Sequence, residues 1–199
     1  MLYYDYECYV TKIRETFLAH CPKAKLSLKS YQLAQLERDF FKGVLDVALI
    51  YSATSNPQRG IETLPFLKFP LAVLLDGGHR LASKANLCAA DLQGERMLFP
   101  AMTLNICQTD KIVFNYFKQN GTQIGEPVPI DNFDEVPYLL KESQGIYITS
   151  IANGAHKDSV EHRYLEPNNP LTSVSAVWLT ENNNPAITTF LNIILICYL

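Results

Sequence analysis

The residues of this 199-residue chain that could carry chemistry are few and scattered. Its four histidines, His20, His79, His156 and His162, have no metal-ligand spacing, and the two in HKDSVEH are not a helical i, i+4 pair, so they read as solvated surface. The five cysteines, Cys8, Cys21, Cys88, Cys107 and Cys197, are odd in number and widely spaced, without a Cys-x-x-Cys. They point to buried free thiols in a reducing cytosol, not to zinc or a disulfide framework. No Gly-x-Ser-x-Gly, P-loop or Gly-x-Gly-x-x-Gly occurs. Asn120-Gly121-Thr122 matches a glycosylation sequon, which has no consequence in a cytosolic chain. These residues predict no catalytic group, no metal and no cofactor.

The bulk properties agree. Hydrophobic residues are 48% and charged residues 19%, which is globular composition with enough chain for one large or two small cores. A net charge of −3 argues against a chain that grips nucleic acid by itself. The N-terminal MLYYDYECYV is acidic where a signal peptide is basic. The closing FLNIILICYL is apolar over only ten residues, against the roughly 20 of a membrane span. A cytoplasmic protein without a membrane segment is expected.

Tyr9, Val10, Ile13, Phe17 and Leu18 recur at helical spacing, and Pro22 stops that helix. AKLSLKSY alternates and predicts a strand. Leu33, Leu36, Phe40 and Phe41 predict a second helix with Gly43 at its C-cap, and VLDVALIY a strand buried on both faces. This order predicts parallel pairing through right-handed crossovers. IETLPFLKFPLAVLLD predicts two extended pieces broken at Pro65 and Pro70. Further on, RMLFP, EPVPID, GIYITS, VEHRYLEP and SVSAVWL are strands, ADLQGE is a helical turn, and helices cover 110–120, 133–144 and 184 onward. Strands alternate with helices in both halves. The fold class is therefore α/β in two lobes, with proline-rich crossings near residues 70 and 170.

In order and spacing these phrases resemble the effector-binding domain of LysR-type transcriptional regulators, over nearly the whole chain. RETFLAHCPKAKLSL resembles the family's helix, Tyr-Pro and strand opening, with Cys21-Pro22 here. FFKGVLDVALI resembles its Gly-x-Leu-Asp phrase, and His79-Arg80-Leu81-Ala82 its His-Pro-Leu-Ala. AADLQGERMLF and LLKESQGIYITS resemble two later phrases, with Ser143 in place of the first glycine of Gly-x-Gly and Thr149-Ser150 in place of Leu-Pro. The family's winged helix-turn-helix and linker helix have no counterpart here, as in an expressed fragment or a natural effector-domain-only protein. The resemblance implies two Rossmann-like lobes of periplasmic-binding-protein type. Residues 1–69 and 170–199 would form lobe I and residues 70–169 lobe II. A small-molecule effector would sit in the cleft between them. It also implies a homodimer, with the first helix and second strand (about residues 12–28) against a helix at about 109–119, and DNA contact only through the missing N-terminal domain.

Cleft positions follow from the strand ends, where open α/β sheets take their ligands. Tyr6, Glu7 and Cys8 lie between the first strand and first helix, whose N–H groups can hold an anion. Many clefts of the family place serine or threonine there, whereas Glu7 would repel a carboxylate or favour an amine, or serve only as a solvated first-turn acid. Tyr51 and Ser52 end the GVLDVALIYS strand; Pro100, Ala101 and Met102 follow RMLF. Asp131 is either a ligand contact or an N-cap, and Ser150 lies at the opposite wall or caps a turn. The leading expectation is a sensor domain. A transport solute-binding protein shares the fold, but the missing signal peptide counts against it. An enzyme using Glu7 with Asp131 as acid and base has no spacing argument behind it.

Overall fold

The computed structural model describes residues 6–31, 33–51, 60–100, 109–150, 160–166 and 169–198. Five helices and seven strands occur there: α1 (Tyr6–His20), α2 (Leu33–Phe41), β1 (Ala48–Tyr51), β2 (Ile61–Asp76), β3 (Met97–Pro100), α3 (Thr109–Gln119), β4 (Pro127–Ile130), α4 (Val136–Ser143), β5 (Tyr147–Ser150), β6 (Val160–Tyr164), β7 (Leu171–Leu179) and α5 (Ala186–Tyr198). Short 3-10 turns at Ala89–Leu92 and Phe133–Glu135 precede β3 and α4.

The helix ends are written in the sequence. Gly43 at φ 69° takes the left-handed conformation after α2; its N–H donates to the Phe40 carbonyl and Val44 N–H reaches back to Asp39 O. Gly121 at φ 63° repeats the motif after α3, with Thr122 N–H on Phe117 O. Only a residue without Cβ adopts this geometry at no steric cost.

The long strand β2 organises the molecule. From Ile61 to Pro70 it pairs antiparallel with β7, whose other edge carries β1. From Leu71 to Asp76 it pairs instead with β5 and β6, again antiparallel. Side chains alternate across each half. Val177, Leu179, Ala48, Ile50 and Ile61 pack with Phe40 of α2 on one face, while Val174 and Ala176 pack with Ile13, Phe17, Phe190 and Ile194 of α1 and α5 on the other. In the second half Leu71, Val73 and Leu75 join Val113 and Phe117 of α3, and Ala72 and Leu74 join Val136 and Leu140 of α4. Each fully buried Leu, Ile or Phe contributes about 1.5–3 kcal/mol relative to exposure. Two helix-covered sheets sharing one strand make the two-lobed α/β architecture that the sequence predicts.

Five expectations are corrected. His79 is not solvated surface: it is buried, with Nε2 3.3 Å from Glu95 Oε2. AKLSLKSY alternates as predicted, with Ala24 and Leu26 packed on the α1/α5 core, but residues 24–31 form no ladder among the described residues. IETLPFLKFPLAVLLD is one strand rather than two. Phe66 is an extra residue between the Pro65–Ser175 and Leu67–Val174 pairs, and this bulge takes up the break at Pro65, while Pro70 sits at the change of partners. Parallel pairing of the first three strands is not seen among the described residues: β1 has β7 beside it, antiparallel. Parallel pairing does join β3 to β4, and a parallel bridge joins Met97 to Ile146. Finally, Tyr6, Glu7 and Cys8 do not precede the first helix; their backbone forms the start of α1.

Candidate functional site

Strand direction brings the predicted positions toward one region. In the second sheet β3, β4 and β5 run parallel, so Pro100, Ile130 and Ser150 end on one edge. Pro100 is paired with Ile130, the residue before Asp131. Ser150 faces Leu71, the first β2 residue after the change of partners. In the first sheet β1 runs parallel to β2 in direction, and its last residue, Tyr51, stands opposite Val174, which also faces Leu67. Leu67 and Leu71 are four residues apart on β2, roughly 13 Å at the rise of a strand. The carboxyl ends of β1 and of the second-lobe strands therefore approach the same crossing from opposite sides.

The start of α1 reaches this crossing too. The Tyr9 ring lies 5.9 Å from that of Phe69, two residues before the switch, and the Tyr198 hydroxyl donates to the Tyr9 carbonyl at 3.1 Å. Tyr6, Glu7 and Cys8 occupy the turn before Tyr9.

The crossing carries buried hydroxyl groups. Ser150 is 1% exposed, and its hydroxyl has no hydrogen-bond partner among the described residues. Across the crossing, Ser173 and Ser175 share a hydrogen bond of 3.3 Å on one face of β7, and Ser175 is buried opposite Ile50. Thr172, also buried, donates from Oγ1 to the Phe69 carbonyl at 3.2 Å.

Asp131 is exposed after β4 and is not the N-cap; Asn132 does that work, accepting from Asp134 N–H at 3.0 Å. Ser52, Ala101 and Met102 lie outside the described residues. Among the described residues no group of three or more His, Cys, Asp or Glu could hold a metal, and Cys21, Cys88 and Cys197 are free thiols.

Two further residues carried no sequence signal, one of them at this crossing. Asp110, in the first turn of α3, has its carboxyl pushed above the ordinary aspartate range by burial. Asn169 appears in the sequence only as part of a proline-flanked connector, yet its side chain binds the backbone of Leu71 at both polar atoms.

The comparisons with known proteins bear on the family and the fold. The family description "LysR substrate binding domain" matches residues 7–195. Among solved structures, the effector binding domain of QuiR in complex with shikimate aligns with a TM-score of 0.75 at 18% identity, over 95% of this chain and 90% of that one. The CcmR regulatory domain of Synechocystis PCC6803 in complex with 2-PG gives 0.71 at 16% identity, over 96% and 92%. CbnR, a LysR family transcriptional regulator, gives 0.72 at 15% identity; the match covers this whole chain and 66% of CbnR. No curated protein matches in sequence. The fold is that of a two-lobed, periplasmic-binding-protein-like ligand-binding domain. The chain belongs to the LysR substrate-binding domain family of transcriptional regulators.

Proposed function

We propose that this chain is the sensor of a LysR-type regulator. A small molecule binds between residues 1–69 with 170–199 on one side and residues 70–169 on the other. It stabilises one angle between the two lobes. The observation that carries this reading is the buried hydroxyl of Ser150 at the carboxyl edge beside the crossing, which has no hydrogen-bond partner among the described residues. A buried polar group without a protein partner is costly unless something else satisfies it. The change of β2 partners at Leu71 supports the lobe boundary. Tyr6, Glu7, Cys8, Tyr51, Ser52, Pro100, Ala101, Met102 and Asp131 complete the proposed lining. Glu7 disfavours a dicarboxylate, and Glu7→Gln with unchanged ligand preference would remove that expectation.

A ligand shifts such an equilibrium only by its differential affinity for the two arrangements. DNA is reached through a separate winged helix-turn-helix domain. Two copies pair through residues 12–28 of one and Thr109–Gln119 of the other, where Leu28 and Phe114 are exposed apolar groups. The test is small-angle scattering of the protein with and without the metabolite that raises its melting temperature most. The reading expects a dimeric mass and a change in the scattering profile on saturation; an unchanged profile from a monomer contradicts it.

A further inference from the structure

We infer that Asn169 is a positioning residue that locks the two interlobe crossings into a single unit, so that the lobes turn about one coupled hinge. The inference rests on the two-lobe reading above and concerns how its movement is regulated.

Two strands connect the halves, β2 at Pro70–Leu71 and the chain entering β7 at Asn169–Leu171. Two independent connections would let each bend on its own. The Asn169 side chain prevents this. Leu71 N–H donates to Asn169 Oδ1 at 2.9 Å, and Asn169 Nδ2–H donates to the Leu71 carbonyl at 2.9 Å. The amide thus reproduces, from a side chain, the paired bonds of an antiparallel ladder. Leu71 N–H is also shared with the Pro170 carbonyl at 3.1 Å. The clamp falls at the residue where β2 leaves β7: Pro70–Leu171 is the last pair with β7, and Leu71–Ser150 is the first with β5. Leu71 is fully buried, so water cannot take over its backbone groups without opening the sheet. Thr172 Oγ1, bonded to Phe69 O, braces the same crossing one step earlier.

An amide is needed for both bonds. A carboxylate at 169 would still accept from Leu71 N–H but would face the Leu71 carbonyl with a second acceptor. Protonation would restore a donor. This gives a signature that a merely space-filling residue would not show.

The experiment compares wild type, Asn169→Ala and Asn169→Asp without any ligand. Hydrogen exchange is read by mass spectrometry on peptides covering residues 69–76. Interlobe distances are read by electron paramagnetic resonance between spin-labelled noncanonical residues at the exposed positions Lys42 and Lys141, which spares the native cysteines. The expected result for Asn169→Ala is exchange about tenfold faster, the loss of two backbone-directed bonds, with a broadened distance distribution. For Asn169→Asp the exchange defect should shrink as pH falls through the carboxyl's range. Exchange at the wild-type rate in both variants, or faster exchange with a distance distribution as narrow as wild type, overturns the inference. Neither readout depends on an effector, so its failure is separate from failure of the sensor reading.

Discussion

Ser150 and Leu71 face each other as the last residue of β5 and the first residue of β2 beyond its pairing with β7. That juxtaposition puts the carboxyl edge of the second sheet directly at the crossing between lobes. It is the basis on which Ser150 is proposed as a ligand contact.

If the Ser150 hydroxyl is held for a ligand, its removal should cost binding and little else. Ser150→Ala should leave the melting temperature of the free protein nearly unchanged, because no described hydrogen bond is lost. It should weaken the best-stabilising metabolite by roughly tenfold, the worth of about one hydrogen bond. Isothermal titration of both proteins with that metabolite checks this, and equal affinities would count against Ser150 as a contact.

Much of this arrangement was legible in the sequence, for physical reasons. The helices α2, α3 and α4 carry apolar residues at helical spacing, and the glycines at 43 and 121 sit where the chain must turn left-handed. The buried strands β1 and β7 are short apolar runs, so their existence was plain. Pairing was not, because ladder partners such as Ile50 with Ser175 are set by contacts over a hundred residues away. AKLSLKSY has strand alternation, but alternation reports only that one face is buried, and here Ala24 and Leu26 satisfy it without a ladder. Pro65 read as a break because a bulge cannot be seen before the partner strand is known. The positions of Pro100 and Ser150 at strand ends were legible. Asn169 was not, since its target is a backbone group at Leu71, which leaves no mark in the local pattern.

Asp110 should be a stability cost at neutral pH. Its folded pKa is raised by burial, so the cost is absent below the ordinary 3.8, grows as pH rises through the raised value and is full above it. Asp110→Asn should therefore raise the melting temperature at pH 7 by up to a few degrees, with the gain vanishing as pH falls below 3.8. Melting curves across pH 3–8 check the sign. A loss at pH 7 would mean that the carboxylate earns its place through the helix dipole or an ion pair.

Asp91 should behave in the opposite sense. The backbone N–H of Cys88, at 2.9 Å from Oδ2, and then the Lys84 ammonium hold its carboxyl below the ordinary range. That stabilisation is present above pH 3.8 and is lost as pH falls through the lowered value. Asp91→Asn should lower the melting temperature at pH 7, with the deficit closing only below 3.8. A deficit independent of pH would assign the effect to packing.

Gly125 tests the backbone packing at the entry to the second sheet. A Cβ there would stand 2.5 Å from the Gly94 carbonyl oxygen and 2.9 Å from that of Glu95, while Gly125 N–H bonds Glu95 O at 2.7 Å. Gly125→Ala should destabilise by about 1–3 kcal/mol, as overpacking does. A shift in urea midpoint at constant slope is the expected readout; an unchanged midpoint would show that the turn yields freely.

The central claim, that a small molecule occupies the region where the strand ends meet, is tested most directly by thermal shift of the wild-type protein against a few hundred metabolites. Binding to the native state raises the melting temperature by mass action, roughly 5–10 °C at a hundredfold excess over Kd for a domain of this size. The account predicts a selective rise of that order for one chemically related group of small polar compounds. A panel with no selective rise would contradict it.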